Sequence, residues 1–290
     1  MLNKLSENVF YIAGRTNVGV ITLSKNECII IDSGIDEDYG RKILKILSSN
    51  NFKVKALINT HAHADHIGGN KIIYDRINVR ICSSLGEKPF IEKPLLEPLY
   101  LYSAYPPKIL RNKLFMADPT PVYEILENDF NNLKIIKLPG HSLDMIGIVY
   151  ENVAFIADSL FSKEILEKHL IPYHLNVKQA LETIESLKKL KNLIYLPSHG
   201  APIKNIEELI EINISAIMKI RGFILNELST NPKRFDELIK IIIRKTSSKI
   251  NNIGQYFLIK SALLSYISWF DEENLIEMSI IDGVPMISLK

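Results

Sequence analysis

The sequence lacks the features that mark several specialised classes of protein. It has only two cysteines, Cys28 and Cys82, far apart in apolar runs. We therefore expect reduced core residues and a reducing, cytoplasmic setting, not a disulfide framework. No apolar run is long enough to cross a bilayer, and the first residues lack the apolar stretch of a signal peptide. The net charge is only +2, which gives no global attraction to nucleic acid, membranes or acidic partners.

What is present is an ordinary globular composition arranged as alternating strands and helices. The 290 residues are 47% hydrophobic and 23% charged, enough to bury one large core or two smaller ones. Short Val- and Ile-rich runs predict strands, and apolar residues at helical spacing predict helices. The strand runs are ENVFYIAG, NVGVITLS, ECIIID, VKALINT, NVRICSS, PVYEIL, LKIIKL, IGIVY, NVAFIA and NLIYL, and the helical runs are DEDYGRKILKILSSN, GGNKIIYDR and NVKQALETIESLKKL. This order indicates an α/β fold.

Residues 84 to 120 interrupt the alternation with a segment rich in proline and tyrosine. A connection of this length is usually a functional lid or a partly helical insertion. An ordinary surface excursion explains the same composition, and the sequence leaves both interpretations open.

The last part of the chain changes to mostly helical patterns. Three apolar runs at helical spacing are followed by two strand-like runs around Asp282-Gly283, which is a hairpin signal. Helix, helix, helix, hairpin is the order of a small winged-helix module. We therefore predict an α/β domain over 1–205, with 84–120 as its insertion or lid, and a helical, winged-helix-like domain over 206–290.

Three of the seven histidines lie within THAHADHIGG, residues 60–69. The stretch follows the predicted strand VKALINT, and alternate side chains of extended backbone point the same way. His61 and His63 therefore face one side, joined by Asp65 if the backbone stays extended, while His66 faces another side and can serve a second centre. Two glycines close the stretch and predict a tight turn into the next helix. Imidazole and carboxylate are ligands that suit zinc, iron or manganese.

Three further polar residues each come at the end of an apolar run. His141 lies in LPGHS after LKIIKL, Asp158 follows NVAFIA, and His199 lies in LPSHG after NLIYL. Open α/β sheets form their sites at such strand ends. Any one of these residues alone is typical of a capped turn, but together with the histidine stretch they supply the ligands for two metal ions.

The order of these residues resembles the metallo-β-lactamase superfamily. The resemblance rests on HAHADH at 61–66 followed by His141, Asp158 and His199. It implies an αββα sandwich with a dinuclear site at one edge. By the same resemblance, one metal binds His61, His63 and His141, the other binds Asp65, His66 and His199, and Asp158 bridges them. Asp32, in IIIDSG, matches the aspartate that supports the metal ligands from behind.

The implied chemistry is hydrolysis by two divalent ions, with zinc expected and iron or manganese as alternatives. Two cations that share a water lower its pKa towards neutrality, so a bridging hydroxide is available as the nucleophile. Asp65 and Asp158 are the catalytic candidates, because Asp65 can orient the nucleophile and carry its proton while Asp158 holds both ions.

The resemblance does not select one reaction, because a fold hosts many. The stretch ADSLF around Asp158 resembles glyoxalase II and related thioesterases, and lactonases share the same ligands. We therefore expect a hydrolase of a small ester, thioester or lactone. Two alternatives stay open. One is an endoribonuclease or phosphodiesterase whose tail binds nucleic acid. The other is not a hydrolase, but a mononuclear iron persulfide dioxygenase or a metal-bearing binding scaffold.

The remaining candidates concern partners and the substrate pocket. The start of the tail is basic, with Lys233, Arg234, Lys240, Arg244, Lys245 and Lys249. This could suit a phosphate backbone, but a solvated helix face is the favoured interpretation, so we expect a small-molecule substrate. The apolar helix over 206–228 predicts a homodimer interface or a wall of the site. Tyr173 and His174, in IPYH, are candidates to line the pocket, where a tyrosine hydroxyl could donate to an oxyanion.

Overall fold

The first sheet supplies one half of a sandwich. The computed structural model describes residues 1–125, 132–169, 171–246 and 250–290. The strands of this sheet are β1 (Asn3–Lys4), β2 (Val9–Ile12), β3 (Val18–Ser24), β4 (Glu27–Ile31), β5 (Lys53–Ile58), β6 (Arg80–Ser83) and β7 (Tyr123–Glu124), and they lie in that order. Strands β1 to β4 pair antiparallel, and β4 to β7 pair parallel.

Parallel neighbours need crossover connections, and helices supply them. Helix α1 (Glu37–Ser49) joins β4 to β5, and α2 (Ala64–Ile67) with α3 (Asn70–Ile77) joins β5 to β6. The Asp36 side chain accepts a hydrogen bond from the amide of Tyr39 and so caps α1. Helices α1 and α3 were predicted, and both pack on the outer face of the first sheet, whereas α2 was not predicted.

The segment over 84–120 is partly helical. It contains α4 (Lys88–Glu92), α5 (Leu96–Tyr102) and a 3₁₀ turn at Lys108–Leu110. It leads into β7, which is shorter than the strand predicted from PVYEIL; the last residue of that run lies outside the described residues.

The second sheet lies across the first. Its strands are β8 (Lys134–Lys137), β9 (Ile146–Tyr150), β10 (Val153–Ala157) and β11 (Ile194–Pro197), in the order β11-β10-β9-β8. Strands β10 and β11 pair parallel, and the chain between them forms α6 (Lys163–Lys168) and α7 (Val177–Leu187).

Three buried clusters establish the layers. The cluster between the sheets includes Ile29, Ile58 and Phe155. A second cluster joins the first sheet to α1 and α3, and a third joins the second sheet to α7 and the helices that follow. Burial of one such aliphatic side chain stabilises the fold by about 1.5–3 kcal/mol. The predicted αββα sandwich is confirmed.

The tail contains α8 (Glu207–Leu228), β12 (Lys233–Arg234), α9 (Phe235–Lys245), α10 (Ile253–Glu272), β13 (Ile276–Ile281) and β14 (Val284–Leu289). The predicted hairpin turns at Asp282 and Gly283, both with positive φ, and β14 pairs with both β12 and β13. The three helices and the hairpin are thus present, while the winged-helix assignment stays a prediction.

The apolar face of α8 packs inside the chain. Ile210, Ile217 and Ile224 are fully buried and belong to the same cluster as residues of the second sheet. This face is therefore covered without a partner chain, and the predicted homodimer stays a prediction. Among the described residues, no helix is both long and apolar enough to cross a membrane.

One local expectation for the histidine stretch was wrong, and one was confirmed. The extended backbone ends at His63, because Ala64 begins α2. Gly68 and Gly69 form the expected turn, which joins α2 to α3. They are needed for space, since a Cβ on Gly68 would lie 2.2 Å from the carbonyl oxygen of Ile35.

Candidate metal centre

The centre forms where strands of both sheets end at one edge of the sandwich. Asp32 follows β4 and His61 lies just beyond β5, the neighbouring parallel strand. Asp158 follows β10 and His199 lies just beyond β11, again a parallel pair. Parallel neighbours end at the same edge, so residues distant in sequence converge there. Asp32 has φ of 61°, an unusual conformation for a residue with a side chain.

One group consists of three histidines. The Nε2 atom of His61 lies 3.1 Å from Nδ1 of His63, and Nε2 of His141 lies 2.9 Å from that same Nδ1. The three nitrogens belong to a set of ligand atoms within 4.8 Å of one another, so they could hold one metal ion. His61 and His141 are buried.

A second group contains one carboxylate and two histidines. Oδ2 of Asp65 lies 3.9 Å from Nε2 of His66 and 3.4 Å from Nε2 of His199, and these ligand atoms also lie within 4.8 Å of one another. The helical turn of α2 puts Asp65 beside His66 in this group, not beside His61 and His63 as continued extended backbone would have required.

The carboxylate of Asp158 lies between the two groups. Its Oδ1 lies 3.5 Å from Nε2 of His66, and its Oδ2 lies 3.5 Å from Nε2 of His141 and 3.3 Å from Nε2 of His199. One carboxylate therefore reaches ligand atoms of both groups.

In three of the histidine rings the outer nitrogen, Nδ1, faces a hydrogen-bond acceptor, while Nε2 faces the centre. Nδ1 of His141 lies 3.0 Å from the carbonyl oxygen of Tyr173, and Nδ1 of His199 lies 2.6 Å from that of Arg15. Nδ1 of His66 lies 2.9 Å from Oδ2 of Asp32. These oxygens only accept, so each ring donates its outer N–H, and in the neutral ring the Nε2 lone pair faces the centre. Metal-binding histidines show this arrangement.

Asp32 holds one histidine of each group in place on the side away from the centre. Its carboxylate accepts hydrogen bonds from the amide and the hydroxyl of Thr60, each at 2.8 Å. The hydroxyl oxygen of Thr60 lies 3.1 Å from Nδ1 of His61 and can accept a hydrogen bond from the N–H group of that ring. Asp32 thus contacts His66 directly and His61 through Thr60, which fits its predicted supporting role.

Two buried atoms indicate that a cation belongs here. Nε2 of His66 and Oδ1 of Asp158 are buried without a hydrogen-bond partner. Such atoms are rare in folded proteins, because each costs free energy comparable to a lost hydrogen bond. Imidazole and carboxylate are the donors that divalent transition metals prefer, so the residues present fit metal ions.

The pKa shifts of the histidines differ between the two ligand groups. Burial holds the pKa of His61 and His141 well below the ordinary value and lowers that of His63 to about 4. Burial also acts against protonation of His66 and His199. Nearby carboxylates, Asp158 above all, outweigh it and raise the pKa of His66 well above its ordinary value and that of His199 to about 10.

Two buried glutamates beside the centre, Glu87 and Glu97, were not among the predicted residues, and both come from the segment over 84–120. Oε1 of Glu97 lies 3.7 Å from Nε2 of His63 and accepts a hydrogen bond from the hydroxyl of Tyr100 at 2.9 Å. Burial raises the pKa of Glu97 to about 8. The only sequence signal was an acidic residue inside the apolar run LLEPLYLY, which is too weak to interpret alone.

The two predicted pocket residues lie beside the three-histidine group. The Tyr173 ring lies 5.7 Å from the rings of His63 and His141, and its hydroxyl lies 2.8 Å from that of Tyr100. His174 is buried, and neither of its ring nitrogens has a hydrogen-bond partner. Contact of either residue with a substrate stays a prediction.

A cavity opens beside the second group. It has a volume of about 420 Å³ and is lined by Arg15, Thr16, Tyr39 and Lys42 among others. The hydroxyl of Thr16 donates to Oδ2 of Asp65 at 3.1 Å, so this cavity adjoins the carboxylate of the second group.

Known proteins share this fold and parts of this sequence. The model of the metallo-beta-lactamase superfamily matches residues 11–199. The hydroxyacylglutathione hydrolase of Pelagibacter ubique (strain HTCC1062) is 28% identical over 130 residues, which are 44% of this chain and 45% of that protein. A probable metallo-hydrolase of Methanocaldococcus jannaschii is 25% identical over 205 residues, which are 67% of this chain and 88% of that protein.

One solved structure matches the entire chain. The crystal structure of a beta-lactamase domain protein from Burkholderia ambifaria has a TM-score of 0.76 and 16% identity, and the match covers 100% of this chain and 93% of that one. This likeness shows the fold, including that of the tail. The sequence match to the hydroxyacylglutathione hydrolase, by contrast, spans less than half of that protein's length.

Proposed function

We propose that this chain, which belongs to the metallo-β-lactamase superfamily, is a hydrolase that cleaves a small thioester, ester or lactone with two divalent metal ions, zinc being expected. The observation that carries this proposal is the pair of ligand groups, each of three residues, with the carboxylate of Asp158 between them.

Each residue of the centre has a proposed task. His61, His63 and His141 would hold one ion, Asp65, His66 and His199 the other, and Asp158 both. When bound, two such ions would make a hydroxide nucleophile available at neutral pH and would polarise the scissile carbonyl. Asp32 fixes the ring orientation of His66 and, through Thr60, that of His61.

Asp65 is the residue best placed to carry a proton. Its side chain is 37% exposed, more than those of His199, His63 or Asp158, so it meets both the centre and solvent. The hydroxyl of Thr16 donates to Oδ2 and fixes the orientation of the carboxylate. A positioned carboxylate of this kind can take the proton of the nucleophile and release it to water.

The relatives named hydroxyacylglutathione hydrolase support a thioester as the first substrate to test. The lining of the cavity beside Asp65 balances the cations Arg15 and Lys42 with the carboxylates Asp36 and Asp38, so its charge does not select among these substrates.

The nuclease alternative receives little support from the basic start of the tail. Lys233 is buried and donates to Thr230, Arg234 pairs with Asp236, and Lys245 pairs with Glu227. Lys249 lies outside the described residues. A cation that already pairs with a protein carboxylate has less to gain from a phosphate, so we keep nucleic acid as the second choice.

The mononuclear dioxygenase and the scaffold are also less favoured. One ion would need only one ligand group, yet Asp65, His66 and His199 form a second. Two of its members are titratable groups with strongly raised pKa values, an arrangement common at functional sites.

The test is hydrolysis of S-lactoylglutathione by wild type and by Asp158→Asn. We expect turnover in the wild type and a loss of about 100-fold or more in the variant, the size of effect when a positioned reactive group is removed. Asp75→Asn, an exposed position on α3 that pairs with Lys71, is the matched control and should keep the wild-type rate. Wild type that binds two ions but cleaves no thioester, ester or lactone would contradict the proposal.

A further inference from the structure

The carboxylate of Glu87 accepts three hydrogen bonds from two separate loops of the chain. Glu87 precedes α4 at the start of the segment over 84–120 and is 2% exposed. Its Oε2 accepts a hydrogen bond from the amide of Ala62 at 2.9 Å. Its Oε1 accepts from the hydroxyl of Ser142 at 2.7 Å and from the amide of Asp144 at 2.8 Å.

The donors lie within the loops that carry the three-histidine group. Ala62 stands between His61 and His63, and Ser142 directly follows His141. One carboxylate therefore bonds both loops at positions adjacent to the ligands, although the loops belong to different sheets.

The loop after His141 returns bonds to the same segment. The amide of Gly86 donates to Oδ2 of Asp144 at 3.0 Å, and the hydroxyl of Ser84 donates to the carbonyl oxygen of Asp144 at 2.6 Å. Residues 84–87 and 142–144 are thus joined by reciprocal bonds, which fixes Glu87 relative to the loop it holds.

A buried carboxylate is an unusual choice for packing alone. Removing its charge from water is costly unless donors compensate, and burial does raise the pKa of Glu87. An ionised carboxylate can accept from all three donors at once. A glutamine in its place would turn an N–H group towards one of these donors, so the geometry favours glutamate specifically.

We propose that Glu87 is a positioning residue that sets the spacing between His61, His63 and His141 and thereby the affinity of this group for its metal ion. The inference rests on the proposed metal-dependent function. Both carboxylate oxygens of Glu87 accept hydrogen bonds from protein donors, so Glu87 acts on the ligands through Ala62, Ser142 and Asp144.

The experiment compares Glu87→Gln with Glu92→Gln. Glu92 lies on α4, pairs with Lys88 and is exposed enough to tolerate the change. Zinc affinity is measured by competition with a chelator, and the absorption spectrum of bound Co²⁺ reports ligand geometry. For Glu87→Gln we expect one of two ions to bind about 10–100-fold more weakly with an altered Co²⁺ spectrum. The other ion, and both ions in Glu92→Gln, should bind as in wild type.

A second variant covers the case in which Glu87→Gln does not fold. Ser142→Ala removes one of the three donors and leaves no buried charge without a partner, and we expect a smaller loss of affinity at the same ion.

The outcomes separate this inference from the proposed function. Wild type that binds no metal overturns both. Wild type that binds two ions, together with folded Glu87→Gln or Ser142→Ala that binds both with unchanged affinity and spectrum, overturns the role of Glu87 alone.

Discussion

Oδ2 of Asp32 lies 2.9 Å from Nδ1 of His66, while both oxygens of the same carboxylate accept hydrogen bonds from Thr60. His66 must therefore donate from Nδ1 to Asp32, which leaves its Nε2 atom facing Asp158. The ring of His66 is held in the tautomer that a metal ligand requires.

Asp32→Asn should weaken binding at the second ligand group. The amide oxygen can replace only one carboxylate oxygen, so either Thr60 or His66 would then face an N–H donor. We expect affinity for one of two zinc ions to fall about 10–100-fold, measured by chelator competition. Asp38→Asn, on the exposed surface of α1 next to Arg41, is the control. Equal affinities in the two variants would exclude the supporting role of Asp32.

Metal binding at the two groups should release different numbers of protons. Before a metal binds, the raised pKa values of His66 and His199 keep both rings protonated at pH 7. The lowered values of His61, His63 and His141 keep those rings neutral. Ligand nitrogens must be deprotonated, so affinity at the second group should rise from pH 6 to 8 while that at the three-histidine group stays nearly constant. Calorimetry in buffers of different ionisation enthalpy counts the protons, and equal release at both groups would contradict the assignment.

Glu97→Gln should change the pH dependence of stability in chelator-treated protein. Burial raises the pKa of Glu97 to about 8 from an ordinary value of 4.5. Stability linked to this proton is fully present below pH 4.5 and is lost as the pH rises through about 8. The glutamine variant has no such proton to lose. It should therefore resemble wild type at pH 4.5 and be more stable than wild type above pH 8, as thermal denaturation would report. Glu208→Gln, at an exposed position on α8, serves as control, and a difference from wild type that is the same at every pH would refute the linkage.

Asn213→Ala should affect both stability and catalysis. The Asn213 side chain accepts from the amide of Phe161 at 2.9 Å and donates to its carbonyl oxygen at 2.8 Å. It therefore ties α8 to the loop that follows Asp158. Loss of a buried bonding partner costs about 1–3 kcal/mol, and we expect slower thioester hydrolysis because the Asp158 loop is freed. Urea denaturation and steady-state rates measure the two effects. Asn226→Ala, exposed on the same helix, should lower neither stability nor rate, since alanine favours a helix more than asparagine does, and a comparable loss in both variants would contradict the role of the Phe161 contacts.

The candidate ligands could be named from the sequence because their chemistry is visible residue by residue, and the structure brings these side chains together. His141, Asp158 and His199 each stood at the end of an apolar run, and the strands β8, β10 and β11 formed where those runs predicted them. The pairing into two groups came from the resemblance alone, since no local pattern states which strand ends meet.

Other parts of the centre could not be predicted, for identifiable reasons. Glu87 and Glu97 lie in a segment with no periodic pattern, and their role depends on contacts with loops far away in sequence. Extended backbone would have placed the Asp65 side chain on the same side as His61 and His63. This expectation was wrong, because α2 begins at Ala64, one residue before Asp65. Tertiary contacts decided both cases.

The wide separation of the centre's residues along the chain has a consequence for the order of folding. The Asn17 side chain donates to the carbonyl oxygen of Pro197, and its backbone amide donates to that of Ser198, so the edge is complete only when β11 has docked. Closing loops of this length costs chain entropy before any contact repays it. A chain in which β11 has not docked would therefore lack His199 and a complete second ligand group, so metal bound at that group should slow unfolding far more than it accelerates folding.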